Sequence, residues 1–110
     1  MELNEYQKKA LETAVYPEIY RVIYPALGIA GEAGECADKV KKWVRGDDGN
    51  LEMSEERRNS IALEIGDVLW YCATLANDLG FSLEEIGRMN YEKLMSRKER
   101  GKLSGSGDFR

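Results

Sequence analysis

The sequence predicts an all-α protein built from four helices, and three observations support this fold class. Apolar residues recur close to every 3.6 positions in each long segment, as on one face of a helix. Serines stand where helices are expected to begin and glycines where they are expected to end. No segment reads as a convincing strand. We therefore expect the 110 residues to form one four-helix domain.

The first two helices are separated by a short irregular stretch. The first is predicted over residues 3–14, and a loop or short turn containing Pro17 follows over residues 16–24. The second helix is predicted to begin near Pro25, because proline is favoured in the first turn of a helix. It should run to about Arg45, where a glycine-rich loop follows.

The third and fourth helices carry capping signals. Ser54, followed by two glutamates, is the expected N-cap of the third helix, which should end at Gly80. Ser82 and Glu85 have the spacing of a capping box at the start of the fourth helix, which should reach about Arg97.

The C-terminal end differs in charge from the rest of the chain. Residues 88–110 carry seven basic and three acidic residues, a net charge of +4, whereas residues 1–87 have a net charge of −8. The basic end could bind phosphate, but charge alone favours a solvated, irregular tail over about residues 99–110. The acidic body disfavours nucleic-acid binding through this end, which would be salt-sensitive.

Composition predicts a cytoplasmic location. No apolar run is long enough to cross a membrane, and the first residues do not resemble a signal peptide. Cys36 and Cys72 both lie in apolar helical stripes, which is typical of reduced, buried thiols.

Two acidic pairs on the second and third helices are the strongest functional signal. Glu32 with Glu35, and Glu64 with Asp67, are each spaced three residues apart, so both carboxylates of a pair lie on one helix face. At about 100° per residue, each pair flanks an apolar stripe. Packing the two stripes together would bring four carboxylates to a shared rim, where a cation must offset their repulsion. Oxygen-only ligands suit Mg²⁺ or Mn²⁺.

Several other kinds of site are excluded by composition. The chain has no histidine, which excludes histidine-dependent catalytic triads and the Glu-x-x-His ligands of di-iron bundles. Two separated cysteines do not make a zinc site, and no P-loop motif is present. Two alternatives stay open: solvated acidic faces, or a non-enzymatic helical interaction module that binds a basic partner through these faces.

The third helix indicates a second subunit. Its apolar residues extend almost all round the helix, which is typical of burial on several sides. Gly31, Gly34 and Gly66 interrupt helices, and close approach of another helix would compensate their cost, although a helix N-terminus would equally account for Gly31. We therefore predict a homodimer and leave open a dimer of dimers.

Two segments carry a family resemblance. LGIAGEAGE at residues 27–35 and LEIGDVLWY at residues 63–71 resemble the ExxE…ExxD signature of the MazG-like all-α nucleoside triphosphate pyrophosphohydrolases. The similarity extends over about residues 22–110, through Asn90-x-x-Lys93-x-x-x-Arg97 and the glycine-rich tail. It implies a four-helix MazG-like bundle, with helices from two subunits packed together in a dimer.

The resemblance also implies an activity, namely hydrolysis of a (deoxy)nucleoside triphosphate to the monophosphate and pyrophosphate, as in nucleotide-pool house-cleaning. Carried over by position, Glu32, Glu35, Glu64 and Asp67 would be catalytic and hold Mg²⁺, with Mn²⁺ as a substitute. Glu35 or Glu32 would orient the attacking water.

Four further residues are candidates for binding phosphate. Lys93 and Arg97 would neutralise the leaving pyrophosphate, Asn90 lies one turn before Lys93, and Lys39 falls on the acidic face of the second helix. No base-binding residue can be assigned. The aromatic side chains with the right chemistry to stack on a base are more often part of a core or a dimer interface, and they are Trp43, Trp70, Tyr71 and Tyr24.

Overall fold

Four α-helices and one short 3₁₀ turn make up the fold, and there is no strand. The computed structural model describes residues 1–110. In chain order the helices are α1 (Leu3–Leu11), α2 (Ile23–Val44), α3 (Glu55–Asp78) and α4 (Leu83–Glu99), with the 3₁₀ turn at Glu18–Tyr20. The predicted all-α, four-helix architecture is confirmed. No helix combines the length and the apolar composition that crossing a membrane requires.

The predicted capping residues begin α3 and α4. The Ser54 hydroxyl accepts a hydrogen bond from the Arg57 amide at 3.0 Å, and the Ser82 hydroxyl accepts one from the Glu85 amide at 3.1 Å. Each hydroxyl satisfies one of the amides that a helix start leaves free. The Glu85 side chain makes no return bond to Ser82, so only half of the predicted capping box forms.

Gly80 ends α3 in the way its position predicts. Its φ of +84° is readily adopted only by glycine. The Phe81 amide donates to the Ala76 carbonyl at 2.8 Å and the Gly80 amide to the Asn77 carbonyl at 3.0 Å, which is the Schellman pattern. The chain therefore turns sharply from α3 into α4.

The first helix is shorter than predicted, ending at Leu11 instead of residue 14. The Trp70 indole N–H donates to the Ala10 carbonyl at 3.2 Å and to the Thr13 hydroxyl at 2.8 Å. Thr13 and Ala14 make only the tighter three-residue turn bonds. Hydrogen bonds from Trp70 of α3 thus fix the chain at the end of α1 in a turn, and the local spacing of residues cannot predict this contact.

The second helix begins at Ile23, two residues before the predicted Pro25. Val22 has a φ of +68°, and the Ile23 amide donates to the Arg21 carbonyl at 2.7 Å, which makes a γ-turn. This conformation is strained for a β-branched residue. The turn sets the direction in which α2 leaves the loop.

A small core joins α1 to the junction of α3 and α4. Its apolar members that are buried are Ala10, Ala73, Ala76 and Leu83. Buried Gln7 links all three helices, since its amide group donates to the Ala73 and Phe81 carbonyls at 3.1 Å and accepts from the Leu83 amide at 3.1 Å. The core therefore lies at one end of the molecule.

The apolar stripe predicted on α3 is only partly covered within the chain, because most of its members are half-buried and two are exposed. Ile65 and Leu79, two members of that stripe, are 58% and 53% exposed. The buried face of α3 is instead the one that carries Ala73 and Thr74, because α1 packs there.

The glycines predicted to allow close helix approach do not do so within one chain. A Cβ atom on Gly31, Gly34 or Gly66 would meet open space. The close approach is at Gly28, where a Cβ would overlap the Tyr71 ring. Gly28 thus lets α2 lie directly against α3, one turn before Glu32.

Candidate metal and phosphate site

Three carboxylates converge where α2 and α3 pack together. One oxygen from each of Glu32, Glu64 and Asp67 lies within 4.8 Å of the others. Glu32 and Glu64 are half-buried, whereas Asp67 is exposed. The cluster therefore has a buried side formed by protein and an open side that faces solvent.

The environment of Glu64 distinguishes it from an ordinary surface glutamate. Lys39 donates to one of its carboxylate oxygens, while the other, Oε2, is buried and has no hydrogen-bond partner. A buried carboxylate oxygen without a partner is costly. A cation at the cluster would satisfy it.

The neighbouring charges shift the pKa values of the two glutamates in opposite directions. Lys39 lowers the pKa of Glu64. Contact with Glu64, partial burial and the charge of Asp67 raise the pKa of Glu32. Crowding of carboxylates thus makes ionisation of Glu32 less favourable than that of a free glutamate, and an added positive charge would offset this effect. The oxygen-only ligand set and the unpartnered Glu64 oxygen fit a hard divalent cation.

Glu35 does not join the cluster, contrary to the expectation that four carboxylates would meet. It lies one turn along α2 from Glu32 and is exposed. Its charge still acts nearby, contributing to the raised pKa values of Glu32 and Lys39. Three of the four predicted ligands are therefore brought together, and the fourth lies beside them.

The phosphate-binding candidates on α4 lie apart from the carboxylates. The side chains of Asn90, Lys93 and Arg97 make no hydrogen bond or ion pair with the acidic cluster of their own chain. Lys93 instead pairs with Asp108 at 3.2 Å, and Arg97 donates to the carbonyl of Gly107 at 3.1 Å. Of the four candidates, only Lys39 touches the cluster.

The tail is irregular, as predicted, but it is not simply solvated. The buried side chain of Arg97, on α4, donates to the Asp108 carbonyl of the tail, and the Arg110 side chain folds back over the tail. The Arg110 guanidinium donates to the carbonyls of Lys102, Leu103 and Gly107 at 3.2, 3.0 and 2.7 Å. Arginine side chains, which sequence patterns do not pair, give the tail a defined shape.

Comparison with known proteins identifies the family. The model of the MazG nucleotide pyrophosphohydrolase domain matches residues 25–101, which contain both acidic pairs and all of α4. The chain belongs to the MazG family.

Two curated proteins are similar to this MazG chain. Gene 37 protein of Mycobacterium phage L5 is 44% identical over 116 residues, which cover all of both chains. The uncharacterised protein YvdC of Bacillus subtilis (strain 168) is 37% identical over 71 residues, 62% of this chain and 67% of that protein. No solved structure matches the chain.

An aromatic row lies against the carboxylates of this MazG domain. The rings of Tyr16 and Tyr24 stack with centroids 4.9 Å apart, and the Tyr24 and Tyr71 centroids are 6.0 Å apart. Contact with Tyr24 and burial raise the pKa of Tyr71, with smaller contributions from the charges of Glu32 and Asp67. Tyr71 follows Asp67 by one turn, so the sequence indicated its face, but its contact with Tyr24, which stacks on Tyr16, is visible only in the fold.

A polar cavity of about 500 Å³ opens on the other side of Lys39. Within it, Asp48 accepts hydrogen bonds from the Ser54 hydroxyl at 3.2 Å and from the Arg57 guanidinium at 3.0 Å. These contacts shape the loop between α2 and α3. The cavity touches the acidic cluster through Lys39 alone, so we assign its polar residues to holding the loop.

Proposed function

We propose that this MazG domain is a Mg²⁺-dependent nucleoside triphosphate pyrophosphohydrolase. Water would attack the α-phosphorus of a (deoxy)nucleoside triphosphate, break the α–β phosphoanhydride bond, and give the (deoxy)nucleoside monophosphate and pyrophosphate. The observation that carries the proposal is the convergence of Glu32, Glu64 and Asp67 on one point in a chain of this family. The role would be cytoplasmic removal of surplus or unwanted nucleotides.

Each side chain at the acidic cluster would have a separate role in the reaction. Glu32, Glu64 and Asp67 would hold Mg²⁺ or Mn²⁺, and a bound ion supplies charge neutralisation at the phosphate and a more acidic water. Lys39 lowers the pKa of Glu64 and would fix the orientation of its carboxylate. Because Glu35 lies outside the three-oxygen cluster, we assign it to orienting the attacking water.

The aromatic row offers a surface for the base. Tyr24 is 43% exposed and lies beside Tyr71, next to the acidic cluster. A base stacked on this row would leave its phosphates directed toward the carboxylates. Stacking alone tolerates every base, which supports a substrate class defined by its triphosphate.

A second subunit would complete the bundle. Only 8 of 110 residues are buried, and exposed apolar side chains include Leu27, Leu63 and Ile65 beside the acidic cluster. The radius of gyration is 17.0 Å, whereas a compact chain of this length has about 13 Å. A homodimer would cover these side chains, and a partner's α4 would then supply Asn90, Lys93 and Arg97 to the phosphates.

The direct test is pyrophosphate release from a panel of canonical and modified nucleoside triphosphates, with Mg²⁺, Mn²⁺ or EDTA. We expect release that requires metal and falls about 100-fold or more in Glu64→Gln. Glu55→Gln is the matched control, because it removes the same charge from an exposed position on α3. A folded protein that releases no pyrophosphate from any triphosphate would favour the interaction module, which also tolerates Glu35→Asp.

A further inference from the structure

The end of α4 holds an unusually buried cation. The Arg97 side chain is 6% exposed and donates to the Gly107 carbonyl at 3.1 Å and the Asp108 carbonyl at 2.9 Å. Its Nε atom is buried and has no hydrogen-bond partner. The guanidinium therefore has donor capacity that the chain itself leaves unused.

The Asp108 carboxylate forms ion pairs with both Arg97 and the neighbouring Lys93. Its Oδ1 atom is 3.2 Å from Lys93 Nζ and 3.7 Å from the Arg97 guanidinium. One oxygen thus bridges two positive charges spaced one helical turn apart, as an oxygen of a phosphate group would. The pair is an anion site that the tail of the same chain fills.

We propose that Asp108 is an internal competitor for phosphate, so that the triphosphate must displace its carboxylate from Lys93 and Arg97. This inference rests on the proposed function in naming a nucleoside triphosphate as the ligand. The consequence is that the tail raises the substrate concentration needed to fill the site, without taking part in the hydrolysis.

The carboxylate is placed so that it can leave. Asp108 is 78% exposed, and exposed ion pairs contribute little to stability. The other attachments of the tail run from Arg97 and Arg110 to backbone carbonyls and do not involve this carboxylate. The Asp108 side chain can therefore swing away while the tail stays in place, and a triphosphate brings more charge and more acceptor oxygens than one carboxylate.

The kinetic test compares Asp108→Asn with two other variants in the full-length protein. We expect the KM for a triphosphate substrate to fall roughly 1.5- to 5-fold in Asp108→Asn, with kcat unchanged, which is the range that one exposed ion pair allows. Glu99→Gln removes the same charge from a nearby exposed side chain that has no ion pair, and should leave KM unchanged. Asp108→Glu keeps the carboxylate and should stay near the wild-type KM.

A binding measurement separates this inference from the proposed function. Calorimetric titration with inorganic tripolyphosphate in metal-free buffer should show tighter binding to Asp108→Asn by the same factor, whether or not the protein hydrolyses nucleotides. If Asp108→Asn binds tripolyphosphate more tightly but the protein hydrolyses no nucleotide, the proposed function is rejected and the inference that Asp108 competes with phosphate is retained. Equal or weaker tripolyphosphate binding by Asp108→Asn, or no binding by either form, would overturn the inference.

Discussion

The ion pair between Lys39 and Glu64 partly neutralises the negative charge of the candidate site. Lys39 supplies one positive charge to a group of carboxylates and holds one Glu64 oxygen, while the other Glu64 oxygen stays free. A side chain that orients a metal ligand in this way usually matters nearly as much as the ligand.

We therefore expect Lys39→Gln to lower kcat/KM by about 10- to 100-fold. Glu64 would lose its orienting donor and its lowered pKa, so that more Mg²⁺ would be needed for half-maximal activity. Lys41→Gln is the control, since Lys41 is an exposed lysine on the same helix, paired only with Asp38. Activity of Lys39→Gln within twofold of wild type would contradict the role assigned to Lys39.

Helix periodicity predicted three members of the cluster but not the exclusion of the fourth. Glu32, Glu64 and Asp67 lie on the faces that α2 and α3 turn toward each other, and the sequence shows these faces. Glu35 lies about 4.5 Å farther along the axis of α2. The turn of α2 that packs against α3 is set by Gly28, because the Tyr71 ring lies against this glycine. Sequence spacing does not reveal this contact.

At the scale of elements, Asp78 fastens the loop between α1 and α2 to the end of α3. Its side chain is 5% exposed and accepts from the Tyr16 hydroxyl at 2.8 Å, the Val22 amide at 2.9 Å and the Arg21 guanidinium at 3.4 Å. Burial raises the pKa of Asp78, but these three donors outweigh burial and the net pKa is lowered. The strained turn at Val22 thus depends on an ionised carboxylate.

The lowered pKa gives the sign of a pH effect on stability. Ionised Asp78 stabilises the fold above its unfolded pKa of 3.8, and this contribution is lost as pH falls through the lower folded value. We expect Asp78→Asn to reduce the free energy of unfolding by roughly 1.5–3 kcal/mol at pH 7. In urea unfolding, its difference from wild type should shrink as pH falls below 3.8. A difference that stays constant over this range would contradict the role of the charge.

Tyr16 provides a spectroscopic check of the same contact. Burial and its hydrogen bond to Asp78 raise the pKa of Tyr16 to about 12. In an ultraviolet titration of the folded protein, Tyr16→Phe should remove a tyrosine that ionises only near this pH. If Tyr16→Phe instead removes a tyrosine that ionises at the ordinary value, the contact does not persist in solution.

Two glycines should respond to alanine with opposite signs. Gly80→Ala places a Cβ at a φ of +84° and should destabilise the protein by about 1–2 kcal/mol. Gly87 lies inside α4 with open space around it, so Gly87→Ala should stabilise by about 0.5–1 kcal/mol. Thermal or urea unfolding measures both. Shifts in the same direction would contradict a left-handed turn at Gly80 or a helical conformation at Gly87.

Local chemistry predicted most helix boundaries but failed where distant residues act. Ser54, Ser82 and Gly80 marked their caps correctly because capping involves residues within one turn. The predicted end of α1 was wrong because it depends on Trp70, whereas α2 begins at Ile23, within two residues of the predicted Pro25.

At the scale of the whole molecule, a single chain leaves much apolar surface exposed, including the side chains of Leu27, Leu63 and Ile65. The wide apolar surface of α3 was visible in the sequence, because its apolar residues extend beyond a single stripe. The sequence did not predict that α4 would stand apart from the carboxylates, because that depends on the packing of α1 and α4 at the other end of α3. Lys93 and Arg97 would therefore reach the site only in an assembly.

The assembly is testable by mass in solution. Light scattering should give at least twice the chain mass of 12.5 kDa. Ile65→Glu should lower this mass, because it places a charge on exposed apolar surface beside the acidic cluster. Leu51→Glu, in a loop where the side chain is 96% exposed, should not change it. A folded monomer of 12.5 kDa would contradict the dimer.

The proposed function depends above all on the acidic cluster directing water to the α-phosphorus of a nucleoside triphosphate. Hydrolysis in ¹⁸O-labelled water, followed by mass spectrometry of the products, shows which phosphorus is attacked. We expect a labelled nucleoside monophosphate, unlabelled pyrophosphate, and no products when metal is chelated. Label in inorganic phosphate with release of a diphosphate, or hydrolysis that continues in EDTA, would rule out this reaction at the cluster.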